Sequence, residues 1–148
     1  MSRLKPLKLA VIGSRDWGDK KRVFQTLDQE IEHIHTIVSG HAVSGPDLFG
    51  ERWANRKDIP TSIHHPATER KHAYHYRNRL IAEEADVGLA FQIGGSSGTQ
   101  YTINYMRQLG KPCFIRRISQ KPRDFDLYTA LEEWCAQQNV SMDRFTLP

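Results

Sequence analysis

The 148-residue sequence predicts an α/β fold: a parallel sheet of about five strands with helices on both faces. Two observations carry this. Short β-branched runs that end in glycine or a polar turn alternate with segments of helical period. No internal repeat or long linker interrupts the alternation, so consecutive elements form βαβ units. The length suits one compact domain, and 39% hydrophobic with 26% charged residues is a globular composition that excludes a disordered chain.

Taken in order, Lys8 to Gly13 (KLAVIG) reads as a buried strand. Val23, Phe24, Leu27, Ile31 and Ile34 then form one apolar stripe, predicting a helix of roughly four turns with Asp19 near its start. Thr36 to Ser39 is a second strand that runs into Gly40. Leu48, Phe49 and Trp53 mark a second helix, which ends before Asp58-Ile59-Pro60, and Thr61 to His64 suits a short third strand. Tyr74 to Ala85 has helical composition, and Val87 to Phe91 (VGLAF) is a central strand. The next helix carries Tyr101, Tyr105, Met106 and Leu109 on its apolar stripe and stops at Gly110. Cys113 to Arg116 is the fifth strand, and 117–123 a connection. A last amphipathic helix runs through Leu127, Tyr128, Leu131, Trp134 and Cys135, within a C-terminal helical extension over 117–148.

Composition narrows the function classes. No apolar run approaches the ~18 residues of a membrane helix, and Leu7 to Gly13 is too short for a signal-peptide core. A cytoplasmic protein without membrane partners is expected. Cys113 and Cys135 give no disulfide framework and read as reduced thiols. The seven histidines include the pairs His33/His35, His64/His65 and His72/His75, none with a partner set at zinc spacing, so no metal and no cofactor is expected. A net charge of +4 favours anionic partners without choosing between a nucleotide and a nucleic acid.

In a parallel sheet of this kind, ligands bind at the carboxyl ends of the strands. Three strands end there in turns of small residues: Gly13-Ser14-Arg15-Asp16-Trp17, Gly40 to Asp47 (GHAVSGPD), and Gly94-Gly95-Ser96-Ser97-Gly98-Thr99. Each leads into a helix, whose free N–H groups and dipole favour an anion, while glycine admits a phosphate to the backbone. Gly40 to Gly45 has P-loop spacing, but Pro46-Asp47 replaces Lys-Ser/Thr, and the first strand lacks G-x-G-x-x-G. Neither a P-loop nucleotidase nor the ordinary dinucleotide fingerprint is present. Arg77, beside Asn78 and Arg79, has the fork to hold a phosphate or lie on a solvated helix face. Asp47 can cap a helix or accept from ribose or base, and Arg15 with Asp16 can serve phosphate and sugar or form a surface pair. Trp17 can stack on a base or pack in the core.

VIGSRDW at 11–17, IVSGHAVSGPD at 37–47, YRNRLIAEEADVGLAF at 76–91 and GGSSGT at 94–99 together resemble the SLOG superfamily. This Rossmann-like group includes DprA, the LOG-type phosphoribohydrolases and the YspA-like branch, to which the first two pieces are most similar. The resemblance spans residues 9–115. It implies a Rossmann-like single domain and a ligand site on Gly13, Ser14, Arg15, Asp16, Gly40, His41, Asp47, Arg77, Asn78, Gly94, Gly95, Ser96, Ser97, Gly98 and Thr99. Two departures stand out. His41 occupies the place of a second glycine, in a turn one residue longer than usual. Thr102 stands where the LOG-type enzymes carry the glutamate that assists N-glycosidic cleavage, leaving Glu83, Glu84 or Asp47 as substitutes. The expected function is binding of a nucleotide or nucleotide-derived ligand, as a sensor or sequestering module and as a homo-oligomer. The alternatives are a nucleotide hydrolase and DprA-like binding of single-stranded nucleic acid.

Overall fold

The computed structural model describes residues 3–148. Its elements, in order, are β1 (Leu7–Gly13), α1 (Lys20–Gln29), β2 (Ile34–Ser39), α2 (Pro46–Arg56), β3 (Thr61–Ile63), α3 (Lys71–Glu84), β4 (Val87–Phe91), α4 (Ser97–Gln108), β5 (Cys113–Arg116) and α5 (Leu127–Gln138). The strands form one parallel sheet in the order β3-β2-β1-β4-β5. That is the Rossmann-like arrangement, in which the strand order reverses between β1 and β4.

The period-two alternation of the strands sorts the core into two layers. Leu7, Leu9, Val11, Ile37, Leu89 and Phe91 face one side, against Val23 and Leu27 of α1, Trp53 of α2 and Leu127 and Leu131 of α5. Ala10, Ile12, Val38 and Ala90 face the other, against Ile81 and Ala82 of α3 and Ile103 and Met106 of α4. Trp17 joins the first layer, fully buried, edge-on to Phe91 at 5.4 Å and with Nε1 donating to the Asp19 carbonyl. It is a core aromatic, closed to a ligand base. Both cysteines are buried free thiols.

The helix read over Tyr74 to Ala85 begins three residues earlier, at Lys71, and two further elements differ more deeply from the sequence reading. The helix over the 23–34 stripe is shorter than four turns: α1 ends at Gln29, Ile31–His33 is a 3-10 turn, and Ile34 belongs to β2, paired with Leu7. The apolar period runs on past the helix because Ile31 and Ile34 still pack on the same core layer. The β-branched Ile34, Thr36, Ile37 and Val38 prefer the pleated sheet. On α4 the buried face is Thr99, Thr102, Ile103 and Met106, whereas Tyr101 and Tyr105 lie only half-buried and Leu109 is 41% exposed. The tyrosines turn toward α3: Tyr101 stacks on His75 at 4.0 Å, and the Tyr105 hydroxyl donates to Glu83. Gly110, at φ +70°, ends that helix as expected.

The chain after β5 packs into the first core layer. Phe125, Leu127, Leu131, Cys135 and Phe145 are buried in it, and Leu4 pairs with Thr146. The α5 start is tied to α1 by Glu30, whose carboxylate accepts from the Leu127 N–H at 3.1 Å. No helix among the described residues is long and apolar enough to cross a membrane.

Candidate functional site

A cleft of about 640 Å³ opens at the carboxyl ends of β1 and β4, where the strand order reverses. Its size falls within the range of small-molecule sites. Of the residues singled out by sequence, Gly13, Ser14, Arg15, Asp16, Asp47, Arg77, Asn78, Ser96, Ser97, Gly98 and Thr99 line it. Gly40, His41, Gly94 and Gly95 stand outside that lining. Glu69, Lys71, Tyr74 and His75 also line the cleft. Sequence reasoning missed these four because they come from the loop after β3 and the first two turns of α3. They belong to no glycine-rich motif, and only the chain's return across the sheet edge brings them in.

The three turns do different work. Gly13 lets the first turn lie against its neighbours, since a Cβ there would land on the Phe91 carbonyl and the Pro46 ring. Ser14 is buried; its hydroxyl meets that of Ser96 at 2.8 Å and accepts from the Ile93 N–H at 2.8 Å. It ties the first turn to the glycine-rich one. Arg15 and Asp16 are exposed on the rim, and Arg15 lies over the Tyr74 ring at 5.7 Å.

The turn after β2 ends in a helix start that already holds a negative group. Asp47, in the first turn of α2, is buried, with the Gly40 and Asp47 backbone N–H groups nearby. Burial pushes its carboxyl up to about 6, against the pull of Arg77 and those N–H donors. An anionic ligand therefore meets a carboxyl here. Ligand hydroxyl or amino groups suit this corner.

At α4 the situation is reversed. Its N-cap Ser96 makes no side-chain capping bond and its first turn carries no acidic residue. The first N–H groups of a helix have no partner within it, so those of 97–99 point to where an anion would sit. A Cβ on Gly98 would meet nothing within 4 Å. Lys71, Arg15 and Arg77 supply positive charge among the lining residues.

Arg77 is more built-in than its sequence suggests. Its Nη1 donates to the Gly40 carbonyl and its Nε to Asn78 Oδ1 at 2.7 Å, and its side chain lies so close over Gly40 that a Cβ there would be 2.6 Å from Nη1. Its guanidinium also lies over the Tyr74 ring at 5.4 Å. Much of the fork is spent holding the 40–47 turn. Asn78 shares the job through its oxygen, and its amide nitrogen is the group left to donate into the cleft.

Thr102 lines the cleft but donates its hydroxyl to the Gly98 carbonyl at 3.1 Å, within its own helix. Glu83 and Glu84 lie outside the cleft lining: Glu83 accepts from Tyr105, and Glu84 is engaged by Ser62, His64 and Lys8. The carboxylates that do line it are Asp16, Asp47 and Glu69. Among the described residues, no group of three or more His, Cys, Asp or Glu side chains is arranged to hold a metal ion.

Residues 7–72 match the model of the YspA, cpYpsA-related SLOG family. The Gene 61 protein of Mycobacterium phage D29 is 29% identical over 126 residues, covering 78% of this chain and 98% of that protein. Among solved structures, DNA processing protein A from Streptococcus pneumoniae superposes with a TM-score of 0.67 at 19% identity. That match covers 91% of this chain, which spans only 56% of the pneumococcal one. DNA processing protein A from Helicobacter pylori, described for its single-stranded DNA binding mode, gives 0.64 at 21% identity over 93% of this chain and 75% of its own. The molybdenum cofactor binding protein of Rippkaea orientalis gives 0.62 at 19% identity, covering 91% of this chain and 85% of that one. At these identities the structural likeness is one of fold. The matched N-terminal segment is thus similar to the YspA-related SLOG family, and the sheet order is that of the DNA processing protein A fold.

Proposed function

We propose that the cleft binds a nucleotide or nucleotide-derived small molecule, with its phosphate at the start of α4 and its sugar or base toward Asp47. The observation that carries this is the opposition of the two helix starts. The α4 start offers N–H groups and no acidic residue, while the α2 start holds a buried carboxyl. A ligand with an anionic end and a hydroxyl- or amino-bearing end fits that polarity, and a nucleotide has both. Binding without turnover suits the site better than hydrolysis. The LOG-type resemblance places a glutamate at position 102, and the threonine there spends its hydroxyl within its own helix and supplies no acid. A sensor or a sequestering module has these properties.

Calorimetry with a panel of nucleoside mono- and diphosphates tests the reading, with Gly98→Leu as the diagnostic variant. Its side chain projects into open space, so the fold is preserved while the phosphate position is filled. The expected result is loss of nucleotide binding with an unchanged melting temperature. Unchanged affinity in that variant overturns the proposal.

A second reading, single-stranded nucleic acid, is favoured by the His75–Tyr101–Tyr105 series. The first two rings stack at 4.0 Å, and Tyr105 lies parallel to Tyr101 at 6.4 Å. His75 lines the cleft, and the helicobacter relative is described as binding single-stranded DNA. Aromatic rings beside a phosphate site are the components of a strand-binding surface.

A further inference from the structure

His41 sits in a conformation that its residue type does not favour. Its φ is +56°, the left-handed region natural to glycine, and the family resemblance places a glycine there. Two features hold the side chain. Nδ1 lies 3.0 Å from Glu51 Oε1, and Glu51 is buried and fixed in turn by the Ser39 hydroxyl on Oε2 at 2.9 Å. A carboxylate only accepts, so the neutral imidazole would carry its proton on Nδ1 and present Nε2 as the ligating nitrogen. The side chain is 52% exposed.

The second ring comes from the loop after β3. His65 is exposed, no hydrogen bond from the described residues reaches its ring, and its centroid lies 4.6 Å from that of His41 at an interplanar angle of 59°. The tilt rules out face-to-face stacking. Two imidazoles ligating one zinc ion at the usual Zn–N distance have centroids roughly 4.5–5.2 Å apart for angles between a right angle and tetrahedral. A buried carboxylate on the far ring nitrogen is the outer-shell partner that ligating histidines ordinarily carry.

We propose that His41 and His65 form an open two-histidine site for a first-row transition-metal ion of the zinc, nickel or copper type, with Glu51 as its positioning carboxylate. Imidazole nitrogen suits these ions rather than magnesium or calcium, which prefer oxygen. Two protein ligands leave the remaining positions to water or to an oxygen of a bound molecule. The sequence hides the site because the two histidines are 24 positions apart and neither belongs to a ligand-spaced motif.

Zn²⁺ titrated calorimetrically into the chelator-stripped full-length protein tests this without any nucleotide, so failure of the nucleotide reading does not affect it. One ion per chain is expected. His41→Gly relieves the backbone, and it should fold as well as wild type yet lose at least tenfold in Zn²⁺ affinity, as should His65→Asn. Glu51→Gln should weaken binding by roughly 10–100-fold, the usual effect of losing an outer-shell partner. His72→Asn, at a histidine outside the pair, should change nothing. Wild-type Zn²⁺ affinity in both His41→Gly and His65→Asn, or an equal loss in His72→Asn, overturns the assignment.

Discussion

Glu30→Gln should make the protein more stable at pH 8 and flatten its stability across neutral pH. Glu30 is 2% exposed, in the chain just after α1, and its carboxylate accepts from the Leu127 N–H at the start of α5. Burial, reinforced by the nearby Asp126 charge and opposed by that N–H, raises its pKa from 4.5 to about 7. The native state therefore holds this proton more tightly than the unfolded chain does. The resulting stability is fully present below about pH 4.5 and is lost as pH rises through about 7. At 1.36 kcal/mol per pH unit, the shift is worth about 3 kcal/mol between pH 4.5 and 8. Asp47 acts in the same direction, its carboxyl standing at about 6. Glutamine keeps the volume and an oxygen for the Leu127 N–H but never ionises. Urea unfolding followed by tryptophan fluorescence, at half-unit steps from pH 5 to 8, measures the difference between wild type and variant, in which all other titrating groups cancel. That difference should grow toward high pH, reaching about 2–3 kcal/mol in favour of glutamine at pH 8. A flat difference would refute the assignment of the slope to Glu30.

Arg77→Ala should lower stability by about 2–4 kcal/mol, because the Gly40 carbonyl and the Asn78 oxygen lose their donor and the buried Asp47 loses its cationic neighbour. Urea midpoints check this, and Arg77→Lys should restore only part, since one ammonium cannot hold both acceptors in the same plane. Nucleoside monophosphates incubated with the protein should remain intact by chromatography. Rapid release of free base that depends on Asp47 or Glu69 would show a hydrolase. Single-stranded DNA should bind weakly, with affinity falling steeply as salt rises; anisotropy titrations at two salt concentrations decide this. Tight, salt-resistant binding lost in Tyr101→Ala would favour the nucleic-acid reading.

The layers of the fold were legible because each strand had one simple signal. VGLAF is buried on both faces and flanked by polar turns, and its bounds agree with β4 to the residue. The errors fell where one periodicity served two structures. Ile31 and Ile34 continue the spacing of α1 but reach the core from a 3-10 turn and a strand. The α4 tyrosines kept helical spacing while their rings turned to α3, and threonines took the buried face that composition alone would not assign to them. Hydrophobicity marks which residues avoid water but not which neighbour covers them.

The site was legible in part for a related reason. Glycine-rich turns announce a strand end, so three of its walls could be placed by residue type. The fourth wall, Glu69 to His75, has no such mark and depends on the crossover from β3 into α3. Sequence also treated the three turns as equivalent, each a helix start open to phosphate. Their electrostatics separate them only in three dimensions. Pro46-Asp47 gives α2 its own buried carboxyl, whereas Ser96-Ser97-Gly98 leaves α4 without one. This difference is why the proposed phosphate position lies at α4 and not at α2. Arg77 reinforces the division by fastening the 40–47 turn in place, so the residue that read as a phosphate clamp is mainly what keeps the two ends of the cleft distinct.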